Sequence, residues 1–205
     1  MISTIPIKLI GNYRNMFLLL LVSFLTTSCY SVSTSSYSDQ EFKRKKYNMI
    51  CVYSYDDNFV HRSLLEQTMI KELRRYSVYA IEGSVVFPPT RERKESEFLS
   101  ELMKNGVDGF LKFEIVIEEK GVIKTNNSGG NESENISNSV LLNQSIKFKY
   151  KVTLIDVKTN KVAWIGSSEL LNYYGIDQYN RETFFGKLSE SIIEELQAKG
   201  HINQN

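Results

Sequence analysis

Few side chains in this sequence are equipped for chemistry, and their spacing limits what that chemistry could be. The two histidines, His61 and His201, lie far apart, and the only cysteines are Cys29 and Cys51. No His or Cys pair has the spacing of a zinc site, so no metal is expected. No phosphate-binding Gly-rich loop, dinucleotide fingerprint or G-x-S-x-G elbow occurs, and no cofactor is expected either. The adjacent carboxylates Asp56 and Asp57 follow a strand-like run. α/β sheets often place ligand contacts at such strand ends, so the pair could form the acidic site of a hydrolase or small-ligand binder. The competing reading is capping of the next helix and complementing of its dipole, worth about 1 kcal/mol. Glu118 and Glu119 end another strand and read as solvated. Tyr173, Tyr174 and Tyr179 cluster around Gly175. They form either an interaction patch or ring edges half-buried under the last helix. Cys51 sits in an apolar run and reads as an inert buried thiol.

The elements that position these residues follow from periodicity. Residues 49–55 (MICVYSY) are rich in β-formers and read as a buried strand, broken by Asp56, Asp57 and Asn58. Leu65, Met69, Leu73 and Tyr76 mark one face of a helix over 59–76. A short strand at 78–81 closes at Gly83, and Pro88 and Pro89 enforce extended chain. Residues 91–105 form a charged helix with Phe98, Leu99, Leu102 and Met103 as its stripe and Gly106 as its stop. Leu111, Phe113, Ile115 and Ile117 alternate with Lys112, Glu114 and Val116, a half-buried strand. Gly, Asn and Ser dominate 120–139, the composition of a long disordered loop. From Ile146 to Leu154 apolar residues alternate with Lys147, Lys149, Lys151 and Thr153, a long strand with one lysine-lined face. The turn DVKTNK (156–161), with Asn160 able to adopt the left-handed conformation, returns the chain as a hairpin over 162–170. Phe184, Leu188, Ile192 and Leu196 recur every four residues and mark a closing helix that ends at Gly200. Counting the flanking short strand, the order is β-α-β-α-β-β-β-α. It predicts an α/β (α+β) fold, a mixed sheet of about five strands with three helices packed on it.

With 205 residues, 41% hydrophobic and 24% charged, the chain suits one globular domain behind a processed leader. Residues 1–28 have the signal-peptide layout: Lys8 and Arg14 without acidic residues, then a ten-residue apolar run at 16–25, then Thr26, Thr27 and Ser28 before Cys29. The positive residues favour a start at Met1 over Met16. The apolar run is shorter than the about 20 residues that a spanning helix needs. Cleavage before Cys29 would leave 23 basic and 24 acidic residues, a net charge of −1. That balance excludes the basic surface of a nucleic-acid binder. Residues 29–46 read as a tether: a polar, Ser-rich flexible linker (YSVSTSSYSDQE), then Lys43, Arg44, Lys45 and Lys46. The basic cluster either touches anionic headgroups, at about 1 kcal/mol per residue, or is a solvated run flanking the first strand. The single domain is expected over 47–201.

Leu25, Thr26, Thr27, Ser28 and Cys29 resemble the lipobox of bacterial lipoproteins, with Ser28 as the small residue before the cysteine and the leucine one place further out than usual. The resemblance implies cleavage between Ser28 and Cys29, a diacylglyceryl thioether on Cys29, and a membrane-anchored envelope protein. Tyr30 in place of Asp carries no signal for inner-membrane retention, so an outer-membrane location is expected. The element order and the segment VTLIDVKTNKVAW, with Val152, Leu154, Asp156, Thr159, Lys161 and Trp164, resemble the small α/β periplasmic domains of envelope lipoproteins. Examples are the penicillin-binding-protein activators, the curli-secretion lipoprotein and the N-terminal domain of the Tol translocation protein. That resemblance implies a module that binds other proteins or self-associates, without catalysis. The alternative is a lipid-anchored hydrolase or small-ligand binder with Asp56 and Asp57 at its site.

Overall fold

The structure is a computed structural model that describes residues 31–88, 90, 95–123, 143–172 and 181–203. It is a mixed α/β fold built on one six-stranded sheet. The strands are β1 (Ser31–Ser38), β2 (Met49–Ser54), β3 (Tyr79–Glu82), β4 (Gly109–Ile123), β5 (Asn143–Asp156) and β6 (Lys161–Asn172). The helices are α1 (Phe59–Arg75), α2 (Gly83–Val86), α3 (Glu95–Lys104) and α4 (Arg181–Ala198). Across the sheet the order is β1-β6-β5-β4-β2-β3. β2 pairs in parallel with β3 and β4, and all other pairs are antiparallel.

Two apolar layers hold the helices to the sheet. On one face, α1 and α4 bury Leu65, Met69, Leu73, Phe184, Leu188, Ile192 and Leu196 against Val52, Leu111, Phe113, Val152, Leu154 and Trp164. On the other, a smaller cluster of Cys51, Val86, Phe87, Leu102, Val107 and Phe110 sits under α2 and α3. The expected helical faces are thus the buried ones, except that Met103 of α3 is 53% exposed. Gly83 starts α2 rather than closing β3, because a Cβ there would lie 2.4 Å from the Tyr53 ring. Gly106, with φ 72°, follows the end of α3 as a left-handed stop, and Asn160, with φ 55°, turns the β5–β6 hairpin.

The largest departure from the sequence reading is at the N-terminal side. Residues 31–38, expected as flexible linker, form β1, in antiparallel register with β6 from Ser31↔Leu171 to Ser38↔Trp164. The strand's inner face is held by hydroxyl groups instead of apolar burial. Thr34 Oγ1 bonds Ser168 Oγ at 2.8 Å and Ser191 Oγ of α4 at 2.6 Å, and Ser36 donates to the Glu195 carboxylate. A 3₁₀ turn (Gln40–Phe42) follows, capped by Asp39, and it buries Phe42 in the main core. The folded unit therefore starts by residue 31, not 47, and the sheet gains a sixth strand. The expected loop also begins later: β4 continues to Ile123 past a bulge between Ile115 and Ile117. The rest of the expected loop, 124–139, lies outside the described residues.

Candidate functional site

Asp56 and Asp57 do not converge on a site. Asp56 Oδ1 accepts the Asn58 N–H at 2.8 Å, and its Oδ2 lies 3.7 Å from His61 Nδ1. Asp57 is exposed. The helix cap is their neighbour: Asn58 Oδ1 accepts the N–H groups of Val60 and His61 at 3.0 and 3.2 Å. Behind them, fully buried Glu66 takes the N–H groups of Ser54 and Ser84 at 3.1 Å each, with Arg62 Nε at 3.4 Å. That carboxylate ties α1 to the end of β2 and the start of α2, a structural use of the strand end. Burial pushes the Cys51 thiol well above its ordinary range, with the Glu66 charge adding to it, as an inert cysteine requires. Among the described residues no cluster of three or more His, Cys, Asp or Glu could hold a metal ion. Ser28, Cys29, Tyr173, Tyr174 and Tyr179 lie outside the described residues, as do Lys8, Arg14 and the apolar run. No helix among the described residues is long and apolar enough to cross a membrane.

The unpartnered features gather on β1 and the segment that follows it. β1 is an edge of the sheet. The Asp39 N–H donates to the Ala163 carbonyl at 3.0 Å, one step beyond the Ser38↔Trp164 pair. In an antiparallel ladder, alternate residues exchange bonds with the neighbour strand. The odd-numbered residues of β1 therefore bond β6, and the backbone N–H and C=O groups of Val32, Thr34, Ser36 and Ser38 point away from the sheet. This edge has eight residues, no proline, no charge and no bulge against β6.

Past β1, the basic cluster divides. Lys45 turns inward and pairs with Asp156, which is fully buried and also takes the N–H and hydroxyl of Thr159 at 2.9 and 2.8 Å. The Tyr47 hydroxyl reaches the same carboxylate at 3.3 Å. Burial alone would raise the Asp156 pKa, but the hydrogen bonds from Lys45 and Thr159 outweigh it and hold the carboxyl below its usual value. Tyr47 is driven the other way, by burial first and Asp156 second. His201, just past the end of the last helix, is fully buried: Nε2 meets Ser38 Oγ at 2.5 Å and Nδ1 meets the Lys45 carbonyl at 3.2 Å. Its burial lowers its pKa against the opposing carbonyl bond, which favours the neutral ring. These bonds fasten the 39–47 segment to the end of α4 and leave Lys43, Arg44 and Lys46 outside. They line a cleft of about 780 Å³ together with Ser36, Tyr37 and Lys199.

The face of the sheet away from α4 carries the expected lysines. Lys147 and Lys149 flank Glu169 at 3.4 and 3.1 Å, and Lys151 lies 3.7 Å from Glu114. Lys149 first, then Lys147, holds the Glu169 carboxyl below its usual range. Beside them Tyr37 is 62% and Val116 54% exposed.

No protein-family model and no curated protein matches the sequence. Solved structures with a similar course of chain include the PelC dodecamer from Paraburkholderia phytofirmans, at 11% identity over 83% of this chain and 99% of that one, with a TM-score of 0.47. The lipoprotein GNA1162 from Neisseria meningitidis is 17% identical over 73% of this chain and 98% of that one, with a TM-score of 0.43. The hypothetical protein CT253 from Chlamydia trachomatis is 13% identical over 75% and 98%, with a TM-score of 0.44. At such identities and TM-scores these likenesses carry no argument about what the chain does.

Proposed function

We propose that this chain is a lipid-anchored envelope protein, held at the outer membrane through Cys29, that acts as a protein-interaction or assembly module without catalysis. The observation that carries the reading is the open edge of β1. An eight-residue, uncharged edge strand offers a ready template for another strand. The absence of catalysis is supported by the use of Asp56 beside a helix cap and of Glu66 as a structural acceptor. The anchor fits the geometry. Ser31 follows Cys29 by two residues, so the lipid lies within about 7 Å of the first residue of β1. From there β1 rises roughly 25 Å to Ser38.

The test is a photo-crosslinking residue at exposed Ser33, in full-length protein in intact cells, with Cys29→Ser beside it. An adduct of defined mass, weakened when Cys29 is replaced, is the expected result. A chain that gives no adduct from β1 while folded in the membrane fraction would overturn the reading.

A further inference from the structure

We propose that the occupant of the β1 edge is an extended, acidic segment of a partner protein, which adds a strand along Val32–Ser38 and sets its carboxylates into the cationic cleft beyond Ser38. This rests on the interaction reading above and gives it a partner chemistry. Two observations meet here. The first is the outward row of N–H and C=O groups at Val32, Thr34, Ser36 and Ser38, spaced for a peptide backbone. The second is the cleft, which shares Ser36, Tyr37 and Ser38 with that edge and adds Lys43, Arg44, Lys46 and Lys199. Among the described residues no carboxylate lines it. The nearby acids have other partners: Glu41 pairs with Lys161 at 2.7 Å, Asp156 pairs with Lys45, Asp39 accepts the Glu41 N–H at 2.8 Å, and Glu195 accepts from Ser36 at the cleft's wall. Lys46 reaches only the Asn203 amide oxygen, at 2.9 Å. Among the described residues none of the four cations has an ion-pair partner within 4 Å, so the lining of the cleft is net positive.

The geometry selects among occupants. The cleft lies at the end of β1 remote from Ser31, roughly 25 Å along the strand. A lipid surface matches the charge of Lys43 and Arg44 but leaves the outward N–H and C=O groups of β1 without partners. A second copy of this chain offers β3, Tyr79–Glu82, half the length that β1 accepts, or β1 itself, which has the length but no carboxylate for the cleft. An acidic peptide in extended form matches both the hydrogen-bonding row and the charge.

The experiment uses the full chain in detergent and a fluorescent peptide of about eight residues in which Glu alternates with Val or Thr. Its controls are the same peptide N-methylated at alternate residues and vesicles of phosphatidylglycerol. Wild type is expected to bind the peptide, with affinity falling about tenfold on Lys43→Glu with Arg44→Glu, and again on N-methylation. Both cations are exposed, so an unchanged melting temperature confirms that the double variant folds, and Lys46→Ala with Lys199→Ala gives an independent pair. Equal binding of the N-methylated peptide would overturn strand addition. Binding to vesicles but not to peptide would replace it by a lipid surface, and self-association blocking the edge would replace it by a second copy. If the peptide fails while the Ser33 adduct still forms in cells, this inference falls and the interaction reading stands. If both fail, both fall.

Discussion

The two edges of the sheet are built differently. β3 has four residues, ends in Glu82 and runs directly into α2, whose first residue packs against Tyr53. β1 has eight residues, none charged, and pairs with β6 without a register shift. Natural sheets blunt their edges by shortening them, charging them or covering them, because an unpaired edge invites another chain. Among the described residues β3 is blunted in this way and β1 is not. The covering is also unequal: among the described residues helices pack on both faces of β2 and β4, whereas β5, β6 and β1 carry α4 on one face and leave the other, with the β5 lysines, uncovered. On the proposed reading, the parallel half of the sheet is the closed half and the β1 side is the one that meets other molecules.

The strongest break in that comparison is Trp164→Ala. Trp164 is fully buried on β6, and its ring lies over Gly166, where a Cβ would come within 2.4 Å. Truncation should cost about 3–5 kcal/mol, from lost transfer energy and the cavity left behind. Urea unfolding gives the total. Hydrogen exchange should show protection falling first in β6 and β1, with β2 and β3 retained longest. Uniform loss across the sheet would mean that the two halves are not separable units.

The next effect concerns the segment that carries β1 into the core. Asp156→Ala removes the acceptor of Lys45 and Thr159 and should cost about 2 kcal/mol at neutral pH. The folded carboxyl is held below its usual value. Its contribution is therefore complete above the unfolded carboxyl pKa of about 3.9 and is lost as pH falls through the lower folded value. Unfolding measured from pH 7 down to pH 2.5 should show wild type and Asp156→Asn converging below about pH 4. A constant gap between them would remove the ion pair from the account.

What the sequence disclosed and what it hid divide along the same line. The helices α1 and α4, the β5–β6 hairpin, the lysine-lined face and the inert Cys51 all follow from apolar periodicity, which reports burial directly. β1 gave no such signal because Thr34 and Ser36 face α4 through hydroxyl bonds, and a Ser-rich run reads as linker. The cleft was hidden because its two walls, 36–46 and 197–202, meet only in the fold. The basic cluster looked uniform, and only its distant partner Asp156 separates inward Lys45 from outward Lys43, Arg44 and Lys46. His201 gave no sign of burial because the bonds that bury it, to Ser38 and Lys45, come from the other end of the chain. Asp56 and Asp57 were legible as a cap region, but the side chain that caps is Asn58.

The smallest effect on stability should be the most informative about the edges. Ser35→Glu on β1 and Tyr79→Glu on β3 place the same charge at an exposed position on each edge. Ser35 shares a surface with Lys149 and Lys151, so its new carboxylate has cations beside it. Neither change buries a charge, and each should alter stability by no more than about 0.5 kcal/mol. Their effects on association should part. A charge on β1 opposes both strand addition and an acidic occupant, so Ser35→Glu should abolish the adduct from a crosslinking residue at Ser33. Tyr79→Glu should leave that adduct unchanged, because β3 is already blunted. If the two variants reduce the adduct equally, the edges are equivalent and the asymmetry in length and charge has no consequence for binding. If Tyr79→Glu alone reduces it, β1 meets the β3 edge of another copy, and the occupant is the chain itself.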